Sequence, residues 1–438
     1  MAGCAAATDP AHRAGVAPAP EDKSIHFIEN DYAGALAIAR ARRLPIFVDA
    51  WAPWCHTCLS MRSYVLSDAA LRPLRDQFVW LSIDTEREDN AGLVSKLGVR
   101  VLPTLYVIEP TSEKPILAWP GSLTANELAV LLEDSAVSGR QGKEGGAASS
   151  ALLRGYRASA GGRADEAIAA YRQALGAAPP DWPRRAQSVD ALVTQLAEDG
   201  QFGACVDTGF DEAPKLPGGT ALADVLRAAI GCAEELTRGG SGSGRLGDLA
   251  ALGHRVASDG SQPILADDRS DLYDFVVGAY RELGQDGEAK RIAAEWAAFL
   301  EEQAGRAASP AARAVFDAHR VLAYGALGEP QRAVPMLEQT ERDFPGDYNP
   351  PARLATTYLA MKRNDDALAA VQRALAKAYG PRKLRLWSLE ADAYQAMGNA
   401  PAAREALRAA LDFAKTVSLT AGYSKLRDAI QKRLDEQP

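Results

Sequence analysis

Residues 51–58 read Trp51-Ala52-Pro53-Trp54-Cys55-His56-Thr57-Cys58. Two cysteines three positions apart follow a short, mostly apolar run, residues 45–50, that reads as a buried strand, and a helical stretch begins at the first cysteine. A Cys-x-x-Cys pair at a strand-to-helix junction points to dithiol redox chemistry. The unpaired N–H groups and positive dipole end of a helix start stabilise a thiolate. Cys55 then has a lowered pKa and attacks disulfides, and Cys58 resolves the mixed disulfide. The competing reading is half of a zinc site, but that needs four ligands. No second Cys-x-x-Cys and no His-x-x-x-His spacing exists, and His12, His26, His254 and His319 are scattered, so no metal is expected.

Several further positions give residues 24–135, about a quarter of the chain, a resemblance to the thioredoxin family. Asp49 lies six residues before Cys55, where that family keeps a buried acid, and Trp51, Ala52, Trp54 and Cys55 match its W-A-x-W-C signature. Leu102-Pro103-Thr104, ahead of the apolar run 105–108, matches the cis-proline loop. Gly121 and Leu123 precede a capping box, Thr124 to Glu127, that opens the last helix. The run from Tyr64 through Ser67 and Asp68 to Asp84 resembles the periplasmic-facing reductase domain of the DsbD type.

The resemblance implies that Asp49 accepts the proton of Cys58. It also implies that Trp51, Trp54, Leu102, Pro103 and Thr104 form the substrate-binding surface, with Pro103 cis. Two departures matter. His56-Thr57 replaces the Gly-Pro between the cysteines of thioredoxin itself, and a protonated His56 would stabilise the Cys55 thiolate. Trp80 stands where many thioredoxins place a lysine near the buried acid.

The chain has 438 residues, 47% hydrophobic and 24% charged, and a net charge of −8, normal for a folded soluble protein of several domains. Basic residues are interspersed with acids, and Arg40, Arg42 and Arg43 suit a helix C-terminus, so no nucleic acid is expected as a partner. No run of 18 apolar residues occurs, so no membrane span is expected. Five cysteines do not make a disulfide scaffold at this length. Cys205 and Cys232 read as buried small apolar residues, with a disulfide between neighbouring helices as the alternative.

Residues 1–23 read as a flexible Ala/Pro/Gly-rich lead. In residues 24–137, strands are expected at 24–28, 45–50, 78–83, 104–108 and 116–119. Helices are expected at 32–42, 55–65, 90–97 and 126–135. Residues 138–149 have the composition of a flexible linker. Residues 150–438 look helical throughout. There Tyr280 and Ala289 are nine apart, as are Tyr324 and Ala333, Tyr358 and Ala367, and Tyr394 and Ala403. A glycine follows the tyrosine by four at Gly284, Gly328 and Gly398, with Lys362 in the remaining copy. Gly155, Ala167, Tyr171, Ala174 and Pro179 make a further copy. This pattern is similar to the tetratricopeptide repeat, and its period allows about seven helical hairpins, those over 184–260 degenerate, with a capping helix at 422–436. The fold class is an α/β thioredoxin fold followed by an all-α tetratricopeptide-type helical solenoid.

The leading functional expectation is a thiol–disulfide oxidoreductase, a protein-disulfide reductase needing no cofactor beyond the Cys55–Cys58 disulfide. Its partners would be protein substrates with disulfides, an unknown thiol electron donor, and proteins recruited by the repeats. The alternative is a redox-linked holdase gripping unfolded clients through the repeats. Met1-Ala2-Gly3-Cys4 also resembles the end of a lipoprotein signal, although the apolar segment that should precede it is absent. A lipid anchor at Cys4 would place the protein in the cell envelope or periplasm if the start is truncated; the alternative is a cytoplasmic protein.

Overall fold

The computed structural model describes residues 25–141, 146–179, 181–240 and 244–436. The lead and Cys4 lie outside them. The first part follows the order β1 (Ile28–Glu29), α1 (Tyr32–Arg42), β2 (Ile46–Trp51), α2 (His56–Ser60), β3 (Val79–Asp84), α3 (Ala91–Leu97), β4 (Thr104–Glu109), β5 (Lys114–Pro120) and α4 (Ala125–Gln141). The strands form one sheet, ordered β1-β3-β2-β4-β5. β1, β3 and β2 are parallel, whereas β4 and β5 join antiparallel.

Alternation along β2 decides what lies where. Ile46, Val48 and Ala50 face one core, with Leu81, Ile83, Tyr106 and Ile108. Phe47 faces the other, with Trp80, Leu105, Val107 and Trp119, and Asp49 shares its side of the strand. The first strand is shorter than expected. It pairs only at Ile28 and Glu29, and Asn30, at φ 59°, turns the chain away; Ile25 and Phe27 pack against the core without joining the sheet. Thr124 and Glu127 cap α4 reciprocally: each backbone N–H donates to the other side chain, at 2.9 and 3.3 Å.

The second part is a stack of paired helices. α5 (Ala147–Ala160) pairs with α6 (Ala164–Ala177), α7 (Arg185–Glu198) with α8 (Phe202–Glu212), and α9 (Thr220–Arg238) with α10 (Leu246–Ser258). Next come α11 (Ala266–Glu282) with α12 (Asp286–Arg306), a short α13 (Pro310–Ala314), and α14 (Asp317–Leu327) with α15 (Ala333–Asp343). α16 (Asn349–Ala360) with α17 (Asn364–Lys377), α18 (Arg382–Ala396) with α19 (Ala400–Ala414) and the closing α20 (Ala421–Glu436) complete the stack. The glycine that follows the repeat tyrosine has a conformational reason. Gly284, Gly328 and Gly398 take φ 70°, 77° and 76°, and Lys362 is held at 59° in the same place. Gly155 has a packing reason: a Cβ there would sit 2.3 Å from the Tyr171 ring.

Two expectations are corrected. Most of the supposed linker is helix, since α4 runs to Gln141 and α5 starts at Ala147; residues 142–145 lie outside the described residues. The apolar core also continues across the junction: Trp119 of β5 stacks on Tyr156 of α5, ring centres 5.1 Å apart. Cys205 on α8 and Cys232 on α9 are joined as a disulfide, the alternative that ranked second to separate apolar thiols. Both are buried where the two helices pack, so the bridge replaces two isolated side chains.

Candidate active site

Cys55 and Cys58 form a disulfide at the start of α2. Cys55 is the N-cap, and its sulfur accepts the Cys58 backbone N–H at 3.0 Å. Cys58 is fully buried, and Cys55 is 5% exposed. Both pack with Ala52 against Trp51, Trp54 and Leu102. The Leu102–Pro103 peptide is cis, as the family resemblance implied. Thr104 starts β4 beside Ala50, and its hydroxyl donates to the Val101 carbonyl at 2.6 Å. Past Ser60 the helix widens, with Leu66 N–H reaching back five residues to the Met61 carbonyl at 2.8 Å.

Asp49 is 1% exposed, and neither carboxylate oxygen takes a hydrogen bond among the described residues. Burial pushes its pKa up to about 7, a rise that the Arg62 cation at 3.8 Å opposes and Glu29 assists. Arg62, rather than the missing lysine, is therefore the cation facing this acid, and it lies 4.1 Å over the Trp51 ring. A cleft of about 260 Å³ between Asp49, Arg62, Ile25 and Arg72 connects the carboxyl group to the surface. Trp80 instead packs on Phe47 and donates its indole N–H to the Arg75 carbonyl.

The solenoid contacts the 51–58 loop at Pro53, Trp54 and His56. Asn349 of α16 donates to the Pro53 carbonyl at 3.1 Å. Trp54 donates its indole N–H to Glu86 at 2.8 Å; Glu86 also accepts the Tyr423 hydroxyl of α20 and the Arg382 backbone N–H. The Arg382 guanidinium lies 5.0 Å over the Trp54 ring. Burial raises the Glu86 pKa, and the Trp54 and Tyr423 bonds work against that rise. His56 Nδ1 sits 3.1 Å from both oxygens of Asp267 on α11 and 3.0 Å from Nε2 of His319 on α14. Burial disfavours the His56 imidazolium, but the charge and hydrogen bonds of Asp267 outweigh it and push its pKa up to about 9. Burial likewise opposes the Asp267 carboxylate, and the two histidines hold its pKa below the usual range.

A cleft of about 860 Å³ opens beside this loop, between Trp54, Val101 and Leu102 on one side and Arg385, Tyr423 and Lys425 on the other. Asn349, Glu86, Asp267, His319 and Arg62 carried no sequence signal of their role. Four of them are separated from the motif by tens to hundreds of positions, and Arg62 lies one helical turn beyond Cys58.

Residues 28–110 match a thioredoxin-like family model, and residues 326–391 match a tetratricopeptide-repeat model. The chain is 32% identical over 66 residues to thioredoxin 1 of Synechococcus elongatus, 15% of this chain and 58% of that protein. It is 36% identical over 70 residues to thioredoxin C-3 of Corynebacterium nephridii, 16% of this chain and 45% of that one. The chain thus spans about half the length of the curated relatives it matches. A tetratricopeptide repeat protein from Parabacteroides merdae aligns with 66% of this chain and all of its own length, at 12% identity and a TM-score of 0.41. The architecture is a thioredoxin-like domain followed by a tetratricopeptide-type helical solenoid.

Proposed function

We propose that this thioredoxin-like domain with its helical solenoid is a thiol–disulfide oxidoreductase that reduces disulfides in proteins. The observation that carries the reading is the Cys55–Cys58 pair at the start of α2, with the Cys58 N–H donating to the Cys55 sulfur. That N–H stabilises negative charge on Cys55 as it leaves a mixed disulfide or before it attacks one.

In the reduced protein, the Cys55 thiolate attacks a substrate disulfide, a Cys55–substrate bond forms, and the other substrate sulfur leaves as a thiol. Cys58 gives its proton to Asp49 and attacks Cys55, re-forming the internal disulfide and releasing the second substrate thiol. An external thiol donor then supplies two electrons to reset the pair. An extended substrate segment lies against Trp54 and Leu102, which line the adjoining cleft, with the backbone of the buried Pro103 and Thr104 next to Leu102. Trp51 supports the loop from beneath Arg62.

The solenoid recruits the partner and restricts what reaches Cys55. An open client-binding groove, as a holdase needs, is less well supported, because helices α7, α11, α14 and α16 contact the thioredoxin-like domain. The Cys205–Cys232 bridge suits an oxidising compartment, which favours the envelope location. Intact mass of native protein tests the lipid at Cys4, which an unmodified amino terminus would rule out.

The test of function is insulin reduction by the full chain. Cys55→Ser should abolish it, and Cys58→Ser should accumulate mixed disulfides on Cys55. Equal turnover by wild type and Cys55→Ser would end this reading.

A further inference from the structure

His56, between the two cysteines, and His319, 263 positions later, meet at the carboxylate of Asp267. Their imidazoles are not stacked; the rings are inclined at 68° with centres 4.2 Å apart. Three polar atoms form a near-equilateral triangle. His56 Nδ1 to Asp267 Oδ1 is 3.1 Å, His319 Nε2 to the same oxygen is 2.9 Å, and nitrogen to nitrogen is 3.0 Å.

Protons satisfy this triangle only by crowding it. Both nitrogens can donate to the Asp267 carboxylate, but the two N–H groups then stand side by side with their nitrogens 3.0 Å apart. If one histidine donates to the other, the accepting nitrogen sets its lone pair against the carboxylate oxygen. A cation at the centre satisfies all three contacts together. The centre lies about 1.7 Å from each atom, so outward shifts of about 0.3 Å give ordinary zinc–nitrogen and zinc–oxygen distances.

A second observation concerns the far side of His319. This side chain is fully buried, its Nδ1 has no hydrogen-bond partner among the described residues, and the nearest carboxylate, Asp271, is 3.8 Å away. A metal-bound histidine holds its other ring nitrogen toward such a carboxylate. Thr57 Oγ1, 3.2 Å from His56 Nδ1, stands at the rim.

We propose that His56, Asp267 and His319 bind a zinc-class divalent ion that ties α2 to α11 and α14, with Asp271 orienting His319. Two imidazoles and one carboxylate suit Zn²⁺ and neighbouring transition metals, and not Ca²⁺ or Mg²⁺. The ion takes the place of a proton in balancing the charge of Asp267. The site does not depend on the redox reading, and its test uses no turnover.

The test uses the full chain in its oxidised form, in which neither Cys55 nor Cys58 offers a thiolate. Zn²⁺ is titrated against a chromophoric chelator, and Co²⁺ is followed by its visible spectrum. One equivalent should bind, without a sulfur-to-cobalt charge-transfer band, and Zn²⁺ should raise the melting temperature. His56→Asn and His319→Gln should each weaken binding at least about tenfold, as ligand loss does. His56 is partly exposed, so His56→Asn keeps the test open if His319→Gln fails to fold. No zinc uptake by the oxidised wild type would overturn the proposal. So would one equivalent retained at wild-type affinity by a folded His56→Asn variant.

Discussion

Asn349 of the solenoid donates its side-chain N–H to the Pro53 carbonyl, two residues before Cys55, across 296 positions of sequence. The same loop is held by Glu86 through Trp54, and Glu86 is itself held by Tyr423 and Arg382. Cys55, only 5% exposed, packs with Trp54, so the solenoid contacts that hold Trp54 and Pro53 are expected to limit access to it. In the reduced protein, a small maleimide should label Cys55 at least about tenfold faster than a polymer-bearing one, since bulky reagents need a local opening. Asn349→Ala with Arg382→Ala should narrow that ratio. Equal labelling rates in the wild type would show that the cover is not a barrier.

Asp49 gives a pH dependence whose sign is fixed by its burial. Its pKa is about 7 when folded, against roughly 3.9 in an unfolded chain. A group raised in this way contributes stability that is complete below pH 4 and is lost as pH rises through 7. Asp49→Asn mimics the protonated acid, so it should match wild type near pH 4 and exceed it at pH 8, by on the order of 4 kcal/mol. Urea midpoints at the two pH values check this, and a difference that does not vary with pH would contradict it. If Asp49 takes the Cys58 proton, the same variant should also release mixed disulfides more slowly at pH 8.

The motif residues were legible because they are local. The Cys-x-x-Cys pair and Asp49 six residues earlier belong to one strand–helix unit, and the Leu102-Pro103-Thr104 turn, beyond β3 and α3, was legible through the family resemblance. The repeat was legible because Tyr, Ala and Gly recur wherever one helix must lie close to the next. What could not be read is how the two parts meet. His319 looked like one of several scattered histidines, and nothing in its own segment marks it as a neighbour of His56. The expected linker was misjudged for a related reason. Its glycines and serines suggested flexibility, but Leu131, Leu132 and Leu152 anchor the flanking helices in the shared core. Tertiary burial outweighs weak local propensity there.

The repeat itself predicts two substitutions of opposite sign. Gly155→Ala would place a Cβ 2.3 Å from the Tyr171 ring, so it should destabilise by about 1–3 kcal/mol through overpacking. Lys362 sits at φ 59°, where the other copies carry glycine at φ 70° to 77°. Lys362→Gly should relieve a left-handed backbone cost and stabilise by about 1 kcal/mol. Denaturation midpoints of the two variants check the pair. A destabilised Lys362→Gly would mean that the lysine side chain contributes more than its backbone costs.

The Cys205–Cys232 bridge ties α8 to α9, where the repeat signature is weakest. These helices pack through Gly209, whose Cβ position lies 2.5 Å from the Ala229 methyl, leaving little side-chain volume between them. A crosslink over 27 positions restricts the unfolded chain by about 3–4 kcal/mol on the loop-entropy model. Non-reducing peptide mapping of protein from an oxidising compartment should recover the two segments linked. The Cys205→Ala, Cys232→Ala double variant should lose about 2–4 kcal/mol under non-reducing conditions while keeping the Cys55–Cys58 disulfide. Quantitative alkylation of both thiols in native, non-reduced protein would exclude the bridge. It would also remove the argument it lends to an oxidising location, because a buried pair kept as thiols is what a reducing compartment produces.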